Sequence, residues 1–312
     1  MVKQRHTRSK KGLKKILLVG TLIGLLFLHF YVPRVIVEIQ NPLIQLLRGK
    51  PTSSLKPRFS GNTQDGKYLT LESHDKFPLS AYLTYSKQDT SRGLIILLHG
   101  IRSYKEHFIT LADNLAQKGY SSVALDLRAH GQSGGKYCTY GVEEKKDIST
   151  LIDTLEAQGL LKGKIGLWGQ SLGGAIGLQA VATDSRISYA IIESTFADFE
   201  TIAHDYFKQY FNFGIRPLTN YLVYRAGEIA GFDPQDANPF RYCQRIKQPI
   251  LLVHGNKDNK IDISYGRKNY QALSLSKGKA FIEVENASHI NVWKRGGEDY
   301  FEKVWRFIIS QN

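Results

Sequence analysis

The sequence predicts an α/β fold, a mostly parallel central sheet flanked by helices. Three observations carry this. Short continuous apolar runs such as LIILLH (94–99) and PILLVHG (249–255) have the form of strands buried on both faces. Segments with helical spacing alternate with them, and β-α-β alternation lays strands side by side in one direction. The glycine-rich and polar motifs fall just after the apolar runs, where sheets of this kind bind their ligands.

The elements follow in chain order, starting with a basic tail. Residues 1–15 hold Lys3, Arg5, Arg8, Lys10, Lys11, Lys14 and Lys15 and no acid, half of the formal net charge of +14. The rest is spread over the body without a basic stripe, which argues against a nucleic-acid partner. ILLVGTLIGLLFLHFYV (16–32) is apolar apart from Thr21 and His29, and Pro33 is expected to stop it. The run is near the lower length limit for a spanning helix, and Phe27, Phe30 and Tyr31 suit an interfacial belt. A cleaved signal would end in a small-residue site, yet the first alanine of the chain is Ala81. No cysteine follows the run, which disfavours a lipoprotein. An uncleaved transmembrane signal-anchor is predicted, with the tail cytoplasmic and the body exoplasmic (periplasmic or extracellular in a bacterium). Arg34, Arg48 and Lys50 weaken the charge asymmetry without reversing it. Residues 33–66, with Pro42, Pro51 and Pro57, read as a tether in which NPLIQLL is a weak signal for a short interfacial helix.

The body, 67–312, opens with two alternating segments, YLTLES (68–73) and LSAYLTY (79–85), the pattern of a hairpin. After the strand 94–99, HFITLADNLAQKG has helical spacing with Gly119 as its stop. SSVALDL (121–127) is a strand, and EEKKDISTLIDTLEAQG (143–159) is an amphipathic helix. KIGLWG (164–169), LGGAIGLQAVA (172–182) and ISYAIIES (187–194) read as strand, helix and strand. PILLVHG, FIEVENA (281–287) and a helix near 296–310 close the chain. Cys138 and Cys243 match no zinc or redox spacing. Free, partly buried thiols are the simpler reading, and one disulfide is the alternative in an oxidising compartment.

Two serines satisfy G-x-S-x-G, Ser171 in GQSLG and Ser133 in GQSGG. A nucleophile elbow needs a strand, a sharp turn and an immediate helix, with small flanking residues because the backbones pass closely. Ser171 meets each demand. Ser133 does not, because its strand ends several residues earlier and GGKYCTYG cannot start a helix. Neither a phosphate loop nor a dinucleotide fingerprint fits the sequence.

A serine hydroxyl needs a base, and here the expected order is Ser, acid, His. Downstream lie only His204, His254 and His289. His289 is favoured, since its loop follows a strand and precedes the last helix. HGNKDNKID offers Asp258 and Asp262 as the acid, and Asp258 is nearer the strand end. The oxyanion donors are expected to be the backbone N–H groups of Leu172, after the nucleophile, and Ile101, in HGIRS. Asn286-Ala287-Ser288 matches a glycosylation acceptor but lies beside the base, and reads as a chance match.

Taken together, His99-Gly100, DLRAHGQSGG, GQSLGG around Ser171, HGNKD with Asp258 and the late His289 resemble the α/β-hydrolase fold. The resemblance covers about 68–310 and is closest to membrane-anchored hydrolases of the BEM46-like and serine aminopeptidase (monoacylglycerol lipase-like) groups. Ala129 departs from the usual R-G-H-G of that loop, and Ile261-Asp262 from the Val-Pro common after the acid. Such folds carry a helical lid between two strands, here about 197–247, with Phe199, Tyr206, Phe207, Tyr210, Phe211, Phe213, Tyr221 and Tyr224. Most of these aromatics are expected to pack the lid onto the body, with one or two lining an acyl pocket. The function expected is a membrane-anchored serine hydrolase cleaving carboxylic esters, lipid-like or acyl, with no cofactor or metal. A peptidase or amidase with the same triad is the alternative, Glu200 and Asp205 being weak candidates to hold an amine. A non-catalytic, membrane-tethered binding protein is a third reading.

Overall fold

The structure is a computed structural model that describes residues 2–42, 45–46, 65–212 and 214–311. Eight strands form one sheet: β1 (Gly66–Glu72), β2 (Pro78–Thr84), β3 (Gly93–Leu98), β4 (Ser121–Leu125), β5 (Lys164–Gln170), β6 (Ile187–Glu193), β7 (Ile250–Gly255) and β8 (Lys279–Val284). Their order is β1-β2-β4-β3-β5-β6-β7-β8. The opening hairpin β1–β2 and the β2–β4 pair are antiparallel, and every later pair is parallel. The apolar run of β3 is explained by its neighbours. Leu94, Ile96 and Leu98 face one core cluster while Ile95 and Leu97 face the other, and all five are buried.

Between the strands lie α3 (Ile109–Gln117), α4 (Glu144–Ala157), α5 (Leu172–Thr183) and α9 (Ile263–Ala272), and α10 (Val292–Ile309) follows the last strand. The lid supplies α6 (Phe199–Phe211), α7 (Arg216–Ala230) and α8 (Pro239–Cys243). α4 and α5 cover one face through Ile148, Leu151, Ala175 and Ile176, and α3 and α10 cover the other through Leu111, Leu115, Tyr300 and Val304. Cys138 and Cys243 are both buried and free. The last strand ends earlier than the sequence pattern suggests. β8 stops at Val284, and Asn286 turns the chain at φ 55°, which asparagine tolerates better than most residues. That turn puts His289 in a loop.

The N-terminus is helical as α1 (Val2–Phe30) and α2 (Val32–Val37). The described stretch Gly12–Val37 is long and apolar enough to cross a membrane. Pro33 does not end the helical path; it sits in the first turn of α2, where a missing N–H costs nothing. Nor is the segment read as a tether free over its first part. Val37 and Ile39 are buried in the main core, Cys138 N donates to Val37 O at 2.9 Å, and the Tyr140 hydroxyl donates to Ile36 O at 2.6 Å. The apolar run VIVEI (35–39) carries this docking, and its partners lie about a hundred residues further along the chain. Of NPLIQLL, positions 43, 44 and 47 lie outside the described residues, as do 48–64.

Candidate active site

β5 ends at Gln170 and α5 begins at Leu172, leaving Ser171 alone in the turn at φ 52°, ψ −115°. A non-glycine residue held there costs about 1–3 kcal/mol, so the surroundings must enforce it. They do so through close backbone approach. A Cβ on Gly169 would lie 2.3 Å from Gly173 O, and one on Gly173 would lie 2.1 Å from Leu98 O. Either contact is impossible, which is why glycine flanks the serine. Ser171 N donates to Glu193 O at 2.8 Å, and the Thr195 hydroxyl donates to Ser171 O at 2.8 Å. The turn is thus pinned to the end of β6 from both sides.

His289 Nε2 lies 3.0 Å from Ser171 Oγ, and its Nδ1 lies 2.8 Å from Asp258 Oδ2. A carboxylate can only accept, so Nδ1 carries the proton and Nε2 is left to accept from the serine hydroxyl. Asp258 Oδ1 accepts from the N–H groups of Lys260 and Ile261, each at 2.9 Å. Burial alone would raise the Asp258 carboxyl. Hydrogen bonds from His254 and His289, the electrostatic pull of the His289 ring and the Ile261 N–H outweigh it and hold the group well below the usual carboxylate range. The other acid, Asp262, is the N-cap of α9 and accepts from Ser264 N at 2.9 Å. His254 bonds Ile261 O at 2.8 Å beneath the acid loop, and His204 stays within the lid against Thr219.

The loop after β3 approaches Ser171 closely, since a Cβ on Gly100 would lie 3.9 Å from Ser171 Oγ. His99 orients this loop. It is fully buried, accepts from Leu127 N at Nε2 (3.1 Å) and reaches Gly100 O from Nδ1 (2.8 Å). Burial, reinforced by His130, pushes His99 well below the usual imidazole range, so it stays neutral and donates from Nδ1. A trans peptide sets its carbonyl and N–H in opposite directions. With Gly100 O turned to His99, the Ile101 N–H points away from it. Leu172 opens α5 directly beyond Ser171. The sequence motif at His99-Gly100 was legible, but not the carbonyl-fixing part His99 plays in it.

The family model described as "Serine aminopeptidase, S33" matches residues 89–223. Bacillus subtilis "Putative esterase YitV" is 26% identical over 212 residues, 63% of this chain and 82% of that protein. Among solved structures, the Pyrococcus furiosus esterase Pf2001 superposes with a TM-score of 0.65 at 23% identity, over 81% of this chain and 96% of its own. The chain has the α/β-hydrolase fold. A Pyrococcus horikoshii acylaminoacyl peptidase shares the fold with a TM-score of 0.59 at 19% identity, over 80% of this chain and 41% of that one.

Around this site lie groups that sequence patterns did not reveal. Glu193, at the end of β6, is buried behind the elbow. Its carboxylate accepts from Trp168 Nε1 at 2.7 Å, Gln170 Nε2 at 2.7 Å, Trp293 Nε1 at 2.9 Å and the Tyr300 hydroxyl. It ties the elbow strand to the helix that follows His289. Burial pushes its carboxyl up, against the hydrogen bonds of Tyr300, Trp293, Gln170 and Trp168. Its donors come from four separated positions, so only the folded chain reveals the cluster. Arg102, two residues past Gly100 at φ 61°, donates to Ile39 O at 3.2 Å, joining the segment that follows α2 to the loop after β3.

The second serine is accounted for differently. Ser133 Oγ donates to Asp126 O at 2.6 Å and accepts from Ser80 N at 2.9 Å. Nearby Ala129 is held at φ 60°, which explains the glycine usual at that place in related loops. His74, Asp75 and Asp147 offer ligand atoms within 4.8 Å of one another. Arg128 engages both carboxylates, at 2.7 and 2.8 Å to Asp147 and 3.0 Å to Asp75, so the cluster is an ion-pair network.

The lid aromatics correct an expectation. Phe199 is core and Tyr206 packs against it, but Tyr210, Phe211, Tyr221 and Tyr224 are exposed. Phe213 lies outside the described residues. Most of the described aromatic positions therefore do not simply bind the lid to the body. Asp205, one of the two possible amine acceptors, is occupied by the Tyr265 hydroxyl.

Proposed function

We propose that this α/β-hydrolase is a membrane-anchored serine hydrolase that cleaves carboxylic esters of lipid-like or acyl type. The observation that carries the reading is the continuous relay from Ser171 Oγ through His289 to Asp258, at 3.0 and 2.8 Å. In this reading His289 Nε2 removes the proton of Ser171 as Oγ attacks the ester carbonyl carbon. The tetrahedral oxyanion is held by the N–H groups of Ile101 and Leu172, and loss of one such donor raises the barrier by about 3 kcal/mol. The imidazolium, oriented and stabilised by Asp258, returns the proton to the departing alcohol. Water, deprotonated by His289, then attacks the acyl-serine ester and frees the acid and the serine. In the same reading α1 is an uncleaved anchor, the basic tail is cytoplasmic and the catalytic body, 67–312, is exoplasmic.

A second reading, an amidase or peptidase, is favoured by the family description and by the acylaminoacyl peptidase neighbour. Both bond types pass through the same kind of intermediate, and the occupied Asp205 weakens the case for a free-amine site. A panel of aryl and acyl esters against aminoacyl amides tests the choice, with Ser171→Ala as the blank. Ester turnover that vanishes in the variant supports the proposal, and amide turnover without ester turnover would replace it.

A further inference from the structure

Four exposed aromatics on a lid need a reason, and their position relative to the anchor supplies one. Tyr210, Phe211 and Ile215, at the turn between α6 and α7, are 58%, 57% and 51% exposed. Tyr221 and Tyr224 follow on α7. From position 206 to 227 the sequence contains no acid, but it does contain Lys208, Arg216 and Arg225. Aromatic and basic side chains without acids are the composition of a surface that sits in a lipid interface.

The direction of α7 follows from two sets of contacts. Just beyond its C-terminal end, the Phe232 ring lies 6.1 Å from Phe199, which stacks on Tyr140 at 3.8 Å, and the Tyr140 hydroxyl reaches Ile36 O. Nearer its N-terminal end, the Tyr221 hydroxyl bonds His29, at the end of α1. Moving from Phe232 back to Tyr221 therefore follows the anchor from Ile36 back to His29, toward its apolar stretch. α7 continues in that direction for one and a half turns to Arg216, roughly 7 Å at the helical rise. The α6–α7 turn thus reaches past the level of His29, alongside the spanning run. The same lid is fastened to the site, since the Gln209 side chain bonds Asn259 O, next to Asp258. Ile101, in the loop after β3, and Ile290, beside His289, are exposed as well.

We infer that the α6–α7 turn docks into the leaflet from which the anchor emerges, so that the active site opens onto the bilayer and takes its ester from there. The docking rests on the lid and the anchor alone; the origin of the ester rests on the esterase reading above. The two separate experimentally. Cys138 and Cys243 are buried, so a thiol introduced by Ile215→Cys, or by Tyr210→Cys should the first disturb the lid, takes a fluorophore selectively. Lys162→Cys, in the loop before β5 and so at the opposite end of that strand from Ser171, is the aqueous reference. In full-length protein reconstituted in phosphatidylcholine–phosphatidylglycerol vesicles, the lid label should be quenched by a shallow spin-labelled lipid. It should also resist iodide several-fold better than the reference label. Equal iodide quenching at both positions with no lipid quenching would overturn the docking. A long-chain ester placed in the protein's own vesicles should be hydrolysed several-fold faster than one placed in separate vesicles. Equal rates would overturn entry from the bilayer, and a docked lid with no ester turnover at all would overturn the esterase reading while leaving the docking standing.

Discussion

Ser171 and Ser133 share a five-residue pattern, and the fold treats them in opposite ways. Ser171 sits in a strained turn whose backbone groups are fixed by Glu193 and Thr195, so that its hydroxyl is left to face His289. The Ser133 hydroxyl both donates and accepts inside a loop, closing Asp126 onto Ser80. The difference separates a serine whose hydroxyl is spared structural work from one whose hydroxyl performs it. At Ser171 the backbone carries the structural load, and at Ser133 the side chain carries it.

The sharpest way to break this comparison is to remove each hydroxyl. Ser171→Ala should cut ester turnover by roughly 10⁶-fold with the fold intact, as loss of a nucleophile does. Next in size is Asp258→Asn, which leaves the shape but offers Nδ1 of His289 the wrong partner, and should cost about 10⁴-fold in kcat. Steady-state kinetics beside circular dichroism separates both effects from unfolding. Gly173→Ala tests the crowding at the elbow. With its Cβ 2.1 Å from Leu98 O, destabilisation should reach or exceed about 3 kcal/mol in urea unfolding. Ser133→Ala and Glu193→Gln should each cost about 1–3 kcal/mol, the first because it strips Ser80 N–H of its acceptor and Asp126 O of its donor, the second because it removes acceptor capacity from the buried donors around it. Ser133→Ala should keep turnover within a few-fold of wild type. Glu193→Gln should also lower kcat, since it loosens the helix beyond His289 from the elbow strand.

The smallest effect is on pH dependence. A carboxyl whose folded value lies below its unfolded value, about 3.9, stabilises the protein fully above that value. That stability is lost as pH falls through the lower, folded value. Asp258 is such a group. Urea midpoints of wild type and Asp258→Asn should therefore converge as pH drops below about 4, and a constant gap would contradict the assignment of its hydrogen bonds.

How much of this was legible beforehand depends on how local the cause is. The elbow was legible because strand, glycines and helix are contiguous around Ser171. Asp258 and His289 were legible because each follows a strand end, where the architecture gathers its loops. Glu193 was not, since its partners Trp168, Gln170, Trp293 and Tyr300 meet only after β5, β6 and α10 assemble. The docking of Val37 and Ile39 was not legible because the residues that hold that segment, Cys138 and Tyr140, lie about a hundred positions further on. The lid showed its aromatic content but not which side it would face, because exposure is a property of the packed lid and anchor together.

The most direct test of the central claim is to map the adduct of a fluorophosphonate probe by peptide mass spectrometry in wild type, Ser171→Ala and Ser133→Ala. The account predicts modification of the peptide containing Ser171 in wild type and in Ser133→Ala, and none in Ser171→Ala. An adduct on Ser133, or labelling that survives Ser171→Ala, would contradict it.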